Sequence, residues 1–172
     1  MHLDYDIRFV TDLPDPAAFE TLMQAYYQVM GGKLVSAGGP QLSAIAMTAD
    51  TMAHIDDLMP PNGRTLLATS TDGTLIGCGV IRKIRPDAAE LKRMFVRPEA
   101  QGLGLGRKLF EMRIAEARNM GCTSLYADTV AGNEAMLSMY EKFGFKYIKR
   151  YPENANPPEL AQYLVFLELV IT

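Results

Sequence analysis

Apolar residues along this chain follow two kinds of spacing. Short apolar runs rich in β-branched residues predict strands, whereas apolar residues that recur at helical spacing predict amphipathic helices. The predicted strands are residues 7–10, 65–69, 74–81, 90–97, 123–128, 146–149 and 162–170. Asp72-Gly73, between the second and third of them, is a strong hairpin signal. Together these strands predict a mixed, mostly antiparallel central sheet.

Four helices are predicted between the strands, so the expected fold class is α+β, with helices flanking the sheet. The first helix begins at Asp15-Pro16 and is expected to stop at Gly31-Gly32, before a loop over residues 33–40. The others cover residues 42–59, residues 104–120 and a segment that begins at Asn133. Asn133 is a good N-cap residue, and Gly144 suits the left-handed position that ends a helix.

The composition indicates one compact domain over residues 1–172, with 48% hydrophobic and 22% charged residues. The net charge is −3, and the basic clusters, residues 82–85 and Lys92-Arg93, are short. We interpret both clusters as exposed strand positions, so nucleic acid is not an expected partner. Cys78 and Cys122 are far apart in the chain, so we expect neither a metal site nor a disulfide. Cys78 is interpreted as a small buried hydrophobe.

The opening residues, Met1 to Asp6, carry neither the basic nor the apolar region of a secretory signal. No apolar run approaches the roughly 18 residues that a membrane span needs. We therefore expect a cytoplasmic protein that does not act at a membrane.

A glycine-rich loop, Gln101-Gly-Leu-Gly-Leu-Gly-Arg107, joins the strand at residues 90–97 to the helix at residues 104–120. Unpaired N–H groups and the helix dipole favour an anion there, and phosphate is the anion we expect. The P-loop of NTPases does not fit, because no Gly-Lys-Ser/Thr follows at the required spacing. The dinucleotide fingerprint does not fit either, because the third glycine comes one residue early. The remaining alternative is a tight strand-to-helix turn with no ligand.

A second motif begins at Asn133, places Tyr140 near the end of its helix and closes with Gly144-Phe145. Tyr140 lies on a broad apolar face, so taken alone it would be interpreted as a core aromatic. The glycine-rich loop and this motif together resemble the two signatures of the GNAT N-acetyltransferases. The loop positions in register with the family pattern Gln/Arg-x-x-Gly-x-Gly/Ala are Gln101, Gly104 and Gly106. The resemblance is specific over residues 90–145 and implies a GNAT-like acyl-CoA N-acyltransferase fold.

In that family acetyl-CoA is the acyl donor, and the resemblance implies where this chain would bind it; the cysteine spacing gives no reason to expect a metal beside it. The pantetheine arm would pair with the backbone of the strand before the loop, at Met94, Phe95 and Val96. The loop residues expected at the pyrophosphate are Gln101, Gly102, Leu103, Gly104, Leu105, Gly106 and Arg107. Arg107 would be slightly unfavourable at a positive helix end unless an anion were present. Asn133 maps onto a family residue that contacts CoA, and the alternative is that it only caps its helix.

The resemblance also assigns the proton transfers. Tyr140 is the expected general acid, which protonates the departing thiolate. Glu90 is the expected general base, because some family members carry a catalytic Glu on this strand; the alternative is a solvated strand end. Asp128 and Tyr126 are held as reserve candidates, since many members use water or a backbone carbonyl instead.

The expected function is therefore an N-acetyltransferase that moves an acetyl group from acetyl-CoA to a primary amine by direct attack in a ternary complex. The alternative is a non-catalytic domain of the same fold that binds or senses acyl-CoA. Tyr140 favours the enzyme, because a pure binder has no use for a thiolate acid. Edge-strand dimers are common in this family, so a homodimer is a further expectation.

The acceptor, a small molecule or a peptide amine, is expected between the first two helices, the hairpin strands and the loop over residues 150–160. That loop is stiff and polar, with three prolines between Tyr151 and Glu159. Charge and cation–π contacts could hold a cationic amine there. The candidate residues for this role are Glu153, Glu159, Tyr26 and Tyr27.

Overall fold

The computed structural model describes residues 4–171, and its elements follow the predicted order. The strands are β1 (Tyr5–Val10), β2 (Gly63–Ser70), β3 (Leu75–Arg85), β4 (Ala88–Val96), β5 (Ser124–Val130), β6 (Lys146–Ile148) and β7 (Leu164–Val170). The helices are α1 (Pro16–Ser36), α2 (Ala44–Ala53), α3 (Leu105–Asn119) and α4 (Glu134–Lys142). Short 3-10 turns cover Ile55–Leu58, Pro98–Ala100 and Pro158–Tyr163.

The strands form one seven-stranded sheet in the order β1-β2-β3-β4-β5-β7-β6. Neighbouring strands are antiparallel except β4 and β5, which are parallel. This confirms the predicted α+β class with a mixed, mostly antiparallel sheet flanked by helices. The hairpin between β2 and β3 is also as predicted, with Gly73 in the left-handed region at φ 88°.

Different helices cover the two faces of the sheet. Successive side chains of a strand point to opposite faces. In β2, Leu67 packs in one cluster with Leu22 of α1, whereas Leu66 packs in another with Leu109 of α3. A third cluster joins α3, α4 and the strands β5 and β7 around Phe110. The sheet therefore lies between α1 on one side and α3 on the other.

The helix α1 is longer than its prediction, because it passes through Gly31-Gly32 and ends at Ser36. Each glycine costs the helix about 1 kcal/mol relative to alanine. Leu34, beyond them, is buried at 4% exposure, and burying a leucine contributes roughly 1.5–3 kcal/mol. That burial offsets the cost, so the loop predicted over residues 33–40 starts only at Ala37. Gly38, at φ 94°, is the left-handed residue that follows the helix.

The second predicted helix, over residues 42–59, is shorter in the structure. Ser43 caps α2 by accepting a hydrogen bond from the Ala46 N–H at 3.1 Å. The helix ends at Ala53, and the 3-10 turn Ile55–Leu58 takes up the remaining residues. Among the helices of residues 4–171, none has both the length and the hydropathy that crossing a membrane requires.

The sheet opens between β4 and β5. These strands pair only over residues 88–90 and residues 124–126, after which β4 follows β3 and β5 follows β7. A β-bulge bends β4 just beyond the split, where Gly79 of β3 faces both Arg93 and Met94. Arg93 has φ 49°, a left-handed conformation that is uncommon for a residue other than glycine. The split and the bulge together create the cleft that carries the candidate site.

Candidate active site

The cleft between β4 and β5 lies beside two adjacent cavities of about 40 and 510 Å³. Residues that line both are Tyr26, Met30, Lys92, Arg93, Asp128 and Thr129. The smaller cavity continues toward α3 and α4, where Asn133 and Tyr140 line it. The larger one extends between α1, α2 and the segment after β6. Groups from several distant parts of the chain thus meet beside β4 and β5.

The glycine-rich loop presents a run of backbone donors that have no acceptor. Across residues 4–171, no protein group accepts from any backbone N–H between Gly102 and Arg107. The next N–H, that of Lys108, bonds to the carbonyl of Gly104 at 3.2 Å. Donors in the first turn of a helix are unpaired by geometry, and the helix dipole is positive there. Such a cluster suits an anion.

The glycines of the loop also leave room for that anion. Gly102 and Gly104 adopt φ 80° and 81°, and a Cβ built on either would meet nothing within 4 Å. Gly106 differs, because its Cβ would approach the Met94 side chain at 3.3 Å. The first two glycines therefore shape an open surface, and Gly106 allows α3 to pack closely on β4.

The remaining loop residues have separate structural roles. The Gln101 side-chain amide donates to the Val96 carbonyl at 3.0 Å and ties the loop to the end of β4. Leu105 is buried in the core, whereas Leu103 is exposed. Arg107 is exposed and pairs with Glu111 one turn along α3, with Nε 2.7 Å from Oε1. An exposed pair of this kind is weak, so it leaves the guanidinium available to an anion.

The edge of β4 that faces the cleft carries the predicted pantetheine residues Met94, Phe95 and Val96. Within the described residues, β4 has no pairing with β5 beyond Glu90, because the two strands have separated. The backbone there is bonded to β3 on one side only. This is the condition under which an extended ligand can add to a sheet edge as a further strand.

Tyr140 is both a core aromatic and a residue of the cavity wall. Its ring is 3% exposed and packs edge-on against Phe110 and Phe145 at centroid distances of 5.2 and 5.0 Å. It also lines the smaller cavity, and its hydroxyl has no protein partner anywhere in residues 4–171. Burial raises the pKa of this phenol, while the nearby Arg113 charge opposes that rise. The hydroxyl therefore keeps its proton in the absence of a ligand.

Asn133 occupies the N-cap position of α4 but does not cap it through its side chain. The interpretation that it only caps the helix is therefore wrong. Its carbonyl oxygen accepts from the Lys33 ammonium at 2.7 Å, and its amide donates to the Thr129 hydroxyl at 2.8 Å. Lys33 reaches this point because α1 continues past its two glycines. The side chain is thus fixed in the wall of the smaller cavity.

Glu90 is fully buried, which excludes the alternative of a solvated strand end. Arg82 donates to its Oε1 from Nε and Nη2 at 3.0 and 2.8 Å, and the Tyr151 hydroxyl donates to its Oε2 at 2.5 Å. Glu90 lines neither of the two cavities. Its carboxylate lies behind the cavity wall with both oxygens already engaged.

Asp128, a reserve candidate, lies directly on the cavity wall and is mostly buried. Its Oδ2 accepts from the Asn154 side chain at 2.8 Å. The Lys92 ammonium lies 3.6 Å from Asp128 and 3.7 Å from Glu90, so it joins the two carboxylates into one charged group. Tyr126, the other reserve, accepts from Arg85 at 3.0 Å and lines neither cavity.

Arg113 is a site residue that the sequence analysis missed, because its helical position suggested nothing beyond a solvated charge. Its side chain is buried at 1% exposure behind the bulge of β4. It donates to the carbonyls of Leu109, Val80 and Lys92 at 3.2 to 3.4 Å, and burial lowers its pKa to about 10. A Cβ on Gly79 would lie 2.7 Å from its Nε. The glycine opposite the bulge was the one sequence signal of this contact.

The predicted acceptor residues divide into two groups. Tyr26 and Tyr27 line the larger cavity, whereas Glu153 and Glu159 do not. Glu153 instead forms an ion pair with Arg85 at 2.6 Å. The loop after β6 lines the cavity through Ala155, Asn156, Pro157 and Leu160.

The basic pair at residues 92 and 93 was also misplaced by the sequence analysis. Lys92 and Arg93 are part-buried and line both cavities, so their interpretation as exposed strand positions is wrong. Cys78, by contrast, is buried as predicted, and its thiol donates to the Arg93 carbonyl at 3.1 Å. Burial raises the pKa of this thiol to about 12. The backbone of the bulge thus has a buried partner.

The chain is similar to known proteins in both sequence and fold. The model of the acetyltransferase (GNAT) family matches residues 34–145. An uncharacterised N-acetyltransferase of Schizosaccharomyces pombe is 30% identical over 160 residues, which cover 88% of this chain and 86% of that protein. A GNAT-family acetyltransferase of Staphylococcus aureus superimposes with a TM-score of 0.74 at 15% identity, over 97% of this chain and 100% of that one. The protein yncA of Salmonella typhimurium, solved with acetyl-CoA, gives 0.64 at 22% identity, over 98% and 94% of the two chains.

Proposed function

This chain belongs to the GNAT family of acetyltransferases, and we propose that it moves an acetyl group from acetyl-CoA to a primary amine by direct attack in a ternary complex. The observation that carries this proposal is the placement of the Tyr140 hydroxyl. It lines the same cavity as the Asp128 carboxylate and has no protein partner within residues 4–171. Acyl transfer from a thioester to an amine needs one group that gives a proton and one that takes a proton, and this cavity holds both.

Acetyl-CoA supplies the activated acyl thioester when it is bound. We assign its pyrophosphate to the unpaired N–H groups between Gly102 and Arg107, where the open surface at Gly104 supports the fit. Its extended arm is assigned to the free edge of β4 at Met94, Phe95 and Val96. Further contacts are assigned to Gln101, Leu103, Leu105, Gly106 and Asn133.

Tyr140 is proposed as the general acid that protonates the sulfur of departing CoA. A thiol has a pKa near 8.5 and a free phenol one of about 10, so a phenol held within reach can supply the proton. Burial raises the pKa of Tyr140, which makes it a reluctant donor. The buried Arg113 charge lowers the pKa of the phenol, and it would also stabilise any negative charge that develops beside the phenol.

The general base is proposed to be Asp128, with Glu90 as the remaining candidate from the sequence. Asp128 faces the cavity and shares Lys92 with Glu90, so it can take a proton from the amine directly or through water. Glu90 has no surface in either cavity. For it to serve as the base, a proton would have to reach it through Lys92 or Tyr151.

A thiol-release assay with acetyl-CoA and a panel of amines tests the proposal. We expect CoA release that depends on the acceptor, and mass spectrometry should find the acceptor heavier by one acetyl group. Acetyl-CoA that binds tightly but is released intact with every amine would contradict the enzyme and favour an acyl-CoA-sensing domain.

A further inference from the structure

Arg93 lines both cavities, and no acidic side chain within residues 4–171 forms an ion pair with it. Its Nε donates to the Tyr27 hydroxyl at 3.1 Å. Among residues 4–171, neither terminal nitrogen of its guanidinium has a hydrogen-bond partner, and no carboxylate forms an ion pair with it. Those two nitrogens form a planar fork that fits the two oxygens of a carboxylate.

The position of this guanidinium is fixed before any ligand arrives. Arg93 lies in the β-bulge at φ 49°, and a bulge of this kind redirects a side chain out of the regular strand pattern. The Cys78 thiol holds its carbonyl, and Tyr27, which is itself bonded to the Thr51 hydroxyl at 2.7 Å, holds its Nε. A left-handed non-glycine residue at a functional cleft is a cost that a binding role can explain.

The other cations at the cavity wall are already satisfied. The Lys92 ammonium has Glu90 and Asp128 within 3.7 Å, so its charge is balanced. Arg113 is unpaired with an acid, but its nitrogens are taken up by backbone carbonyls and by the Met94 sulfur at 3.0 Å. Among Lys92, Arg93 and Arg113, Arg93 is therefore the cation whose terminal N–H donors are available to a ligand.

Most of the surface around Arg93 in the larger cavity is apolar. Side chains from α1, the segment before α2, α2 itself, the segment between β6 and β7, and the start of β7 contribute to it, namely Met30, Leu34, Leu42, Met47, Leu160 and Leu164. Asp128 lines the same cavity as Arg93, and its carboxylate can receive an amine. A ligand that matches this cavity of about 510 Å³ carries an anionic group, an amine and an apolar side chain.

We propose that Arg93 binds the carboxylate of the acceptor, and that the acceptor is a free amino acid with an apolar side chain. This inference rests on the proposed acetyl transfer and specifies its substrate class. Arg93 fixes the carboxylate, the apolar wall takes the side chain, and the amine is left facing Asp128 and the cleft. Arg93 acts in specificity, because it contacts a part of the acceptor that does not react.

Two acceptors that differ only in the carboxylate test this assignment on the full chain. L-leucine and isoamylamine have the same apolar group and amine, but isoamylamine lacks the carboxylate. For Arg93→Gln we expect kcat/KM with L-leucine to fall by about 100-fold, mostly through KM, because a charge-assisted bidentate contact is lost. With isoamylamine, kcat/KM should change less than about threefold, and Arg93→Lys should recover part of the loss with leucine. Each variant is compared with wild type on the same acceptor, so the different amine pKa values cancel.

Arg64→Gln is the matched control, since Arg64 is a part-buried strand arginine that pairs with Glu116 and lines neither cavity. It should leave both acceptors unchanged. If Arg93→Gln does not fold, the wild-type protein still decides, because its preference for leucine over isoamylamine should exceed the factor that the lower pKa of the α-amine alone gives. Equal use of the two acceptors by wild type, or an equal loss with both in Arg93→Gln, would overturn the assignment.

Calorimetry separates this inference from the proposed function. L-leucine is titrated into wild type and Arg93→Gln, each saturated with CoA, so that no turnover is needed. Binding that depends on Arg93 without CoA release in the assay would contradict acetyl transfer and support the carboxylate site. Turnover of amines without binding that depends on Arg93 would support acetyl transfer and contradict the carboxylate site. A shifted affinity of Arg93→Gln for acetyl-CoA itself would assign the guanidinium to the donor and overturn the proposal.

Discussion

The two sides of the cleft are built in different ways. The proposed donor side is one continuous stretch, the end of β4 and the glycine-rich loop, and it presents mainly backbone groups. The acceptor side is assembled from α1, α2, the bulge in β4, the end of β5 and the segment after β6, and it presents side chains. A backbone surface specified by a few glycines suits a ligand that many proteins share, whereas a side-chain surface can be changed one residue at a time.

The donor side also tolerates little change. Gly102 and Gly104 hold positive φ angles with open space where a Cβ would stand, so the loop depends on the absence of side chains. The acceptor side depends instead on the side chains that are present. Arg93, Lys92 and Asp128 are each held by a specific partner. Substitutions on the donor side and on the acceptor side should therefore impair the protein in different ways.

The largest effect is expected from Gly104→Val. A β-branched residue at φ 81° is strained by about 1–3 kcal/mol, and its side chain would occupy the surface assigned to the pyrophosphate. Calorimetry should detect no acetyl-CoA binding. Gly121→Val is the matched control, since Gly121 has φ 83° and equally open space but follows the far end of α3. It should lose similar stability and keep its affinity, and normal binding by a folded Gly104→Val would refute the phosphate-loop assignment.

This contrast also explains what the sequence could predict. The loop, the strand before it and the helix start are contiguous, so their spacing in the sequence is their spacing in space. Gly106 and Gln101 illustrate this, because one allows close packing on Met94 and the other ties the loop to Val96 within a few residues. Half of the family resemblance lay in this segment, and the match of the family model to residues 34–145 confirmed the resemblance.

The acceptor side could not be predicted in the same way. Arg93 and Tyr27 are far apart in the sequence, and nothing in Lys92-Arg93 distinguishes a bulge from an exposed strand. The sequence analysis predicted the end of helix α1 too early. The cost of two glycines in a helix is visible in the sequence, whereas the burial of Leu34 is not. That error also hid the contact between Lys33 and Asn133. Each of these points depends on contacts between residues that lie far apart in the sequence.

A smaller effect, on chemistry alone, is expected from Tyr140→Phe. The change keeps the ring and its packing on Phe110 and removes only the hydroxyl. If that hydroxyl is the acid, kcat should fall roughly 100-fold. The melting temperature and the acetyl-CoA affinity should barely change, because the described structure contains no partner that would be left unsatisfied.

Tyr147→Phe is the control for removal of a tyrosine hydroxyl. Tyr147 is exposed on β6 and donates to Glu141, so its loss should leave kcat unchanged. A Tyr140→Phe variant that melts earlier but turns over normally would assign the hydroxyl to structure. Thermal melts beside steady-state kinetics distinguish the two outcomes.

The smallest effect on turnover is expected where the two sides meet, at the pair Asp128 and Glu90. Asp128→Asn removes the carboxylate on the cavity wall, and we expect kcat/KM to fall about tenfold near neutral pH, since water can replace part of a general base. An amine with a pKa near 10 loses its proton unaided as the pH rises. The deficit of Asp128→Asn should therefore shrink at high pH, and a pH–rate profile measures it.

The variant Glu90→Gln tests whether Glu90 acts as the general base or only as a structural anion. Gln can still accept from Arg82 through its one carbonyl oxygen, but its amide N–H would then face the Tyr151 hydroxyl and donate to it. The change also leaves Arg82 and Lys92 with one negative charge fewer in a buried setting. Breaking a buried pair typically costs about 3–5 kcal/mol, so we expect denaturant melts to show a clear loss of stability. The pH–rate profile of the folded fraction should stay parallel to wild type. If instead Glu90→Gln shows the deficit that shrinks with pH and Asp128→Asn does not, the base is Glu90, and Lys92 or Tyr151 must carry the proton from the cavity to it.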